Sequence, residues 1–424
     1  MYLGIDFGTS GCRALVIDQH NQIIAQARQV LPSPHQQQQK ITQQVEVWLT
    51  GLRALFEQLS KQIDLKGIKR LAIDGTSATV LTCDMSGQPF APALMYNDSS
   101  SMDALNLIKR NCPTPEHLCM NASSGLAKAI QLTRYNPDTQ QKILNQADYL
   151  SNYLCNRWGF SDQHNALKLG FDIKQACWPE WVTKMLPDEA LPEVQIPGDV
   201  IAEVNPDIAA ELGLSQHCQI CSGTTDANAA FIATDCIQPG DAVTSLGSTL
   251  VLKILNTAQI EDLATGVYSH KLGQYWLCGG ASNAGAGILR QFFTDQQLNE
   301  ISKTINFHCA SGLDYYPLSS QGERFPILDP NKQPRIEPRP ESDSLFLQAL
   351  LEGLSNIERQ GYKKLTQLGA IQPQKILTTG GGAKNILWQK LRSELLGIPV
   401  SQASQTEAAY GSALLAHEGL ARYL

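Results

Sequence analysis

Twice in this chain a short apolar strand runs into a turn of glycine and hydroxyl residues and returns as a second strand. The first instance is Tyr2–Ile5, then Asp6-Phe7-Gly8-Thr9-Ser10-Gly11, then Ala14–Ile17. The second is Asp241–Ser245, then Leu246-Gly247-Ser248-Thr249, then Leu250–Ile254. In each case helical segments and further strands follow, which is the pattern of an α/β domain. A unit that starts over in mid-chain predicts two α/β domains of similar topology with a cleft between them. The length of 424 residues agrees, since a domain takes roughly 150 residues. The boundary falls near residue 232, giving domains 1–232 and 233–424. The final helix either closes the second domain or packs back onto the first.

The stretches between the hairpins carry their own signals. Ile23–Val30 reads as a third extended run, and the Gln-rich His35–Lys40 as a solvated loop. Val45, Trp48, Leu49, Leu52, Leu55, Phe56 and Leu59 recur at helical spacing. Leu71–Ile73 reads as a buried strand ending in Asp74-Gly75-Thr76-Ser77, and Val80–Cys83 as a strand leading to a turn at Met85-Ser86-Gly87. Residues 97–199 read as mainly helical. Gln219–Cys221 is a short strand before Gly223-Thr224-Thr225-Asp226, and Gln274–Cys278 a strand before Gly279-Gly280. Five prolines in Phe325–Pro340 exclude regular structure there. Leu345–Leu368 is a long amphipathic helix, Lys375–Thr378 a strand, and Asn385–Leu396 and Thr406–Leu420 are helices.

Composition excludes several classes. With 33 Lys and Arg against 40 Asp and Glu, the net charge is −7, the wrong sign for a general nucleic-acid binder. No apolar run approaches the roughly 20 residues of a membrane span, and the first residues lack the blocks of a signal peptide. A cytoplasmic protein is expected, with its eleven cysteines mostly free thiols in the core. Cys218 and Cys221 form a lone C-x-x-C with no second pair at zinc-ligand spacing.

Three Gly-rich turns follow strands, at Gly8–Gly11, Gly247–Thr249 and Gly380–Gly382. Glycine lets backbone N–H groups come close to phosphate oxygens, and hydroxyls add donors. The third turn opens a helix, whose N-terminus favours an anion. There is no P-loop and no complete dinucleotide fingerprint, and protein-kinase and zincin signatures are absent. Two carboxylates, Asp6 and Asp226, stand at strand ends beside small residues, where α/β sheets put ligand sites. Donors for phosphate charge, a metal ligand and a positioned base are the parts that phosphoryl transfer needs.

In these motifs and their order the sequence resembles the FGGY carbohydrate kinases. Asp6-Phe7-Gly8-Thr9-Ser10 is similar to the family's first phosphate loop and Leu246-Gly247-Ser248-Thr249 to its second. Gly223-Thr224-Thr225-Asp226-Ala227 is similar to the catalytic-base segment. Gly380-Gly381-Gly382-Ala383-Lys384-Asn385 is similar to the adenosine loop, and Thr406–Ala413 to the start of the final helix. The resemblance implies the two-domain actin-like ATPase fold, related to ribonuclease H, with a central inter-domain cleft. It implies ATP and Mg²⁺ as cofactors and a small sugar as substrate.

Roles follow position by position. The resemblance makes Asp226 the base, and Asp6 a catalytic residue, Mg²⁺ ligand and sugar contact. Catalytic Thr9, with Ser10, Gly11 and Arg13, would meet the phosphates, as would Gly247, Ser248 and Thr249, with Gly279 and Gly280 assisting. Gly380, Gly381, Gly382, Asn385 and Trp388 would surround the adenosine. Ser77, Asn97 and Asp98 would join Asp6 and Asp226 around the sugar. Family members of greater length usually carry Trp-Gln-Asp where this chain has Tyr96-Asn97-Asp98, a departure that weighs against D-xylulose. The short length and Asp74-Gly75-Thr76-Ser77 resemble the short D-ribulose kinase-like members of cyanobacteria and plants. The expected reaction is therefore D-ribulose to D-ribulose 5-phosphate. The alternatives are a kinase for D-xylulose, L-ribulose or glycerol, or an actin-like ATP-binding regulator, which would not need Asp226.

Overall fold

The structure, a computed structural model, describes residues 1–136, 139–305 and 309–424. The chain divides into two compact units, Met1–Ala233 with Glu407–Arg422, and Thr234–Thr406 with Tyr423–Leu424. Of the two placements open to the final helix, the structure has the one in the first unit.

The main sheet of the first unit runs in the order Val200–Glu203, Gln219–Cys221, Arg70–Gly75, Tyr2–Phe7, Gly11–Ile17, Ile23–Val30. Tyr2–Phe7 is its centre. It pairs antiparallel with Gly11–Ile17 and parallel with Arg70–Gly75. Alternation along the strand gives each face a separate task. Leu3, Ile5 and Phe7 are fully buried, in one core with Trp48, Leu52, Leu55 and Leu59 of the helix Val45–Ser60. Gly4 points the other way, onto the helix Ala408–Glu418, where a Cβ would overlap the backbone of Ala409 and Ala413. A second sheet, ordered His35–Gln37, Lys40–Gln43, Ala93–Leu94, Val80–Cys83, Lys142–Asn145, shares a core with the helices Met102–Asn111 and Gly125–Thr133.

The second unit repeats the arrangement. Asp241–Leu246 pairs antiparallel with Leu250–Asn256 and parallel with Lys375–Thr379. Tyr275–Ser282, Tyr268–Leu272 and Val400–Gln402 complete its sheet. The helix Asp343–Gln367 buries Phe346, Leu350, Leu354, Ile357 and Leu365 in that core. Their spacing is the three-or-four-residue step of one helix face.

Some local readings need correction. His35–Gln37 is a strand, hairpinned to Lys40–Gln43, although all three of its residues are exposed. An edge strand held by backbone bonds alone leaves no hydrophobic alternation to read. Residues 97–199 also hold the strands Lys142–Asn145, Phe160–Asp162 and Glu193–Gln195. Val80–Cys83 finds its main partner in Lys142–Asn145.

Candidate active site

Parallel pairing puts Asp6 level with Asp74, and Asp74 level with Thr224. Asp226 follows two residues later, at the first turn of the short helix Asp226–Ile232. Three carboxylates thus gather at the C-terminal end of one sheet. Asp6 is 8% exposed and Asp74 fully buried. Ser412 Oγ donates to Asp74 Oδ2 at 2.6 Å. Burial, with Asp6 and Asp226 nearby, pushes the Asp74 carboxyl well above the carboxylate range. Burial also raises Asp6, offset by a hydrogen bond shared with Asp74 and by Arg13. Of the two, Asp74 is the one whose neutral form the surroundings favour more strongly. Asp226 takes a hydrogen bond from the Ala227 N–H at 2.6 Å. Thr224, two residues before it, is held by His164 Nδ1 at 2.6 Å.

The first Gly turn is closed by Gly8 N–H donating to the Gly11 carbonyl at 3.0 Å. Thr9 is half-buried and Ser10 exposed. Arg13 lies opposite Asp6 in register, with its guanidinium 3.7 Å from Asp6 and 3.4 Å from Glu407.

The expected sugar residues divide. In the turn 76–79, Thr76 and Thr79 share a hydrogen bond of 2.6 Å, and Gln146 accepts from Thr76. Ser77 Oγ is buried there with no hydrogen-bonding partner among the described residues. Asn97 is exposed. Asp98 is fully buried, and it is the correction among these three. Its Oδ2 accepts from Ile41 N–H at 2.6 Å and its Oδ1 from Ser100 N–H and Oγ at 3.0 and 2.8 Å. With both oxygens spent on protein donors, Asp98 anchors its loop and leaves Asn97 as the outward member.

In the second unit a cavity of about 310 Å³ is lined by Gly247, Ser248, Gly381, Gly382, Asn385 and Trp388, among others. Two turns far apart in sequence meet because Ser245 pairs with Thr379. Gly380 has φ +80°, and a Cβ there would stand 2.8 Å from the Leu246 carbonyl. Only glycine combines that backbone with that approach. Asn385 caps the helix Ile386–Leu396 through Trp388 N–H and donates to Ser302 Oγ at 2.9 Å. Trp388 is 2% exposed and its indole N–H donates to Ser355 at 2.9 Å. It is a core residue with one edge at the cavity, not a free flat wall. Gly279 and Gly280 lie within the strand Tyr275–Ser282 and do not line this cavity. A Cβ on Gly280 would strike the Phe325 ring at 2.6 Å, and one on Gly279 the Leu252 carbonyl. Packing accounts for both. Thr249 is half-buried beside the turn.

Among the described residues no group of three His, Cys, Asp or Glu could hold a metal alone. Mg²⁺ commonly takes one or two carboxylates and draws its other ligands from phosphates and water. Asp6, with its side chain 12% exposed, fits that part. All eleven cysteines are free, and eight are buried. Burial pushes the Cys218 and Cys221 thiols up to about 12. Among the described residues no helix is long and apolar enough to cross a membrane.

The N-terminal domain of the FGGY family of carbohydrate kinases matches residues 1–233, and its C-terminal domain matches residues 242–418. The chain belongs to the FGGY family of carbohydrate kinases. As a member it is a sugar kinase, and the reading as a regulator without a sugar substrate falls away. It is 21% identical to a xylulose kinase of Escherichia coli over 414 residues, covering 94% of this chain and 85% of that one. It is 24% identical to the xylulose kinase of Haemophilus influenzae, covering 96% and 88%. The fold matches a xylulose kinase structure from Rhodospirillum rubrum with TM-score 0.87 at 19% identity, covering 99% and 89%. It matches a Plasmodium falciparum glycerol kinase with ADP with TM-score 0.83 at 18%, covering 97% and 88%. The kinase has the two-domain actin-like ATPase fold of these sugar kinases. The family's C-terminal match includes the helix Ala408–Glu418, which in space belongs to the first unit.

Two buried charged residues of the first unit were given no role of their own in the sequence. Asp74 ends a strand read only as buried. Lys128 is fully buried in the helix Gly125–Thr133. A single charge inside the apolar run Leu126-Ala127-Lys128-Ala129-Ile130 was the available signal for it.

Proposed function

We propose that this kinase transfers the γ-phosphoryl group of ATP to the terminal hydroxyl of a ketopentose, D-ribulose, giving D-ribulose 5-phosphate in the cytoplasm. The observation that carries the reading is the row of Asp6, Asp74 and Thr224, with Asp226 just beyond it. It offers one carboxylate, Asp226, that accepts from a backbone N–H as the base, and another, Asp6, beside a buried partner whose carboxyl is pushed well above the carboxylate range. The substrate hydroxyl gives its proton to Asp226 as its oxygen bonds to the γ-phosphorus, and the bond from that phosphorus to the bridging oxygen breaks, releasing ADP. Asp6 orients the sugar and would hold Mg²⁺, which supplies charge neutralisation at the phosphates. The turn from Thr9 to Gly11, with Arg13, and the turn Gly247–Thr249 donate to phosphate oxygens. The cavity bounded by Gly381, Gly382 and Asn385 takes the adenosine. Ser77 and Asn97 face the polyol.

D-ribulose is favoured by Tyr96-Asn97 and by Asp74-Gly75-Thr76-Ser77, the residues that set the chain apart from the longer family members. D-xylulose is the second reading, supported by the names of the relatives. The test is ADP release with Mg-ATP over D-ribulose, D-xylulose, L-ribulose, L-xylulose and glycerol, in wild type and Asp226→Ala. D-ribulose should give the highest kcat/KM, and the variant should lose about 10²–10⁴-fold in kcat. Highest turnover with another sugar overturns the substrate, and near-normal turnover in the variant overturns the base.

A further inference from the structure

Among the described residues Lys128 is the largest fully buried charged side chain of the first unit, and the reaction leaves it unused. Its side chain is wholly withdrawn from water, and among the described residues no carboxylate lies within ion-pair distance of it. Its Nζ donates instead to two backbone carbonyls, Ala78 at 2.8 Å and Tyr96 at 3.0 Å. Burial pushes the amine down to about 7, against a pull from Asp98. A methionine would fill the same volume without burying a charge, and such apolar replacements of buried ions are often neutral or stabilising. Stability alone is therefore a poor reason for this lysine.

The two carbonyls belong to two separate turns. Ala78 holds φ +63°, a left-handed backbone that alanine rarely adopts, and its carbonyl is fixed there by Lys128. Tyr96 is held at both ends, because its N–H also donates to Thr79 Oγ1 at 3.0 Å. The neighbours of these fixed groups are the informative ones. Ser77 precedes Ala78 and has a buried hydroxyl with no partner among the described residues. Asn97 follows Tyr96 and is exposed, while Asp98 beyond it is tied to Ile41. Each clamped carbonyl thus sits one peptide away from an unspent polar side chain.

We propose that Lys128 is a positioning residue for the sugar, an internal clamp that fixes the Ser77 turn against the Tyr96-Asn97 turn and so sets the spacing at which the two side chains meet the polyol. The inference rests on the proposed sugar site and goes beyond it, because Lys128 itself touches no substrate. A fixed spacing between two hydrogen-bonding groups discriminates between sugars that differ only in the configuration of one hydroxyl, since the wrong epimer leaves one of them unpaired.

The test compares wild type, Lys128→Met and Thr79→Val, the last removing one Tyr96 tether while keeping the lysine. Lys128→Met should raise KM for the preferred ketose at least tenfold and narrow the ratio of kcat/KM between D-ribulose and D-xylulose by a similar factor. KM for ATP should stay within twofold, which a general loss of structure would not produce. Thr79→Val should shift the same constants the same way by less, and it carries the test if Lys128→Met does not fold. Amide hydrogen exchange in the two turns should speed up at least tenfold in Lys128→Met, with residues 71–74 unchanged. Sugar constants within twofold of wild type in a folded variant, or equal changes for sugar and ATP, overturn the clamp. If wild type phosphorylates none of the sugars, the functional reading fails, and the exchange measurement still decides the clamp: unchanged exchange in both turns refutes it.

Discussion

A lysine ammonium with no water around it makes folding depend on pH in a direction opposite to a solvent-exposed ion pair. Unfolded, Lys128 titrates near 10.4; folded, burial brings it to about 7. Between these values the unfolded chain holds a proton that the folded chain has released. Stability therefore rises with pH through that window, by up to about 1.4 kcal/mol per pH unit. Below about pH 7 the cost of the buried charge is fully present. Urea unfolding of wild type and Lys128→Met at pH 7 and pH 9 should show the wild type gaining on the variant as pH rises. A constant difference between the two would mean that folding does not lower the pKa of the amine. At this scale the sequence was a partial guide. It singled out Asp6 and Asp226 by their small neighbours. It gave Asp98 to the sugar, because nothing local reveals that Ile41 N–H claims one of its oxygens.

In the second unit, four elements meet at one buried ion pair. Arg392 and Glu358 are each 1% exposed and joined by two hydrogen bonds of 2.6 Å. Arg392 also donates to Thr378 at 2.7 Å, and Thr244 donates to Glu358 at 2.6 Å. The pair therefore fastens the helices Asp343–Gln367 and Ile386–Leu396 to the two strands that lead into Gly247 and Gly380. Arg392→Met should cost about 3–5 kcal/mol, because it strands a buried carboxylate. The double variant Glu358→Leu with Arg392→Met should recover much of that loss, since no charge is left unpaired. Denaturant melts of the two variants check this, and a double variant no better than the single would make the polar network itself the source of stability. Periodicity made both helices legible. It made nothing of His35–Gln37, whose residues are all exposed, and missed Tyr268–Leu272.

For the whole molecule, the chain leaves the first unit at Ala233 and re-enters it at Glu407. The returning helix buries Ala409, Ala413, Leu414, Leu415 and Ala416 to 1% exposure or less, and it supplies Ser412 to Asp74. A chain ending at Thr406 should therefore unfold in the first unit. Amide exchange should rise across residues 2–7 and 70–75, while residues 241–246 and 250–256 keep their protection. Equal protection in both sets of strands would mean that the first unit stands without its last helix.

The sequence alone determined the hairpins, the three Gly turns and their order. Each is written in a few contiguous residues whose backbone needs are local: φ above zero, close approach, alternation across a strand. Family membership followed from the same short segments. Tertiary structure decided which charges lie buried, that Trp388 is core and not a wall, that Gly279 and Gly280 serve packing, and that residues 407–422 complete the first unit. These are matters of desolvation and contact between segments as far apart as Gly4 and Ala413, and no local window of sequence carries both halves of such a contact.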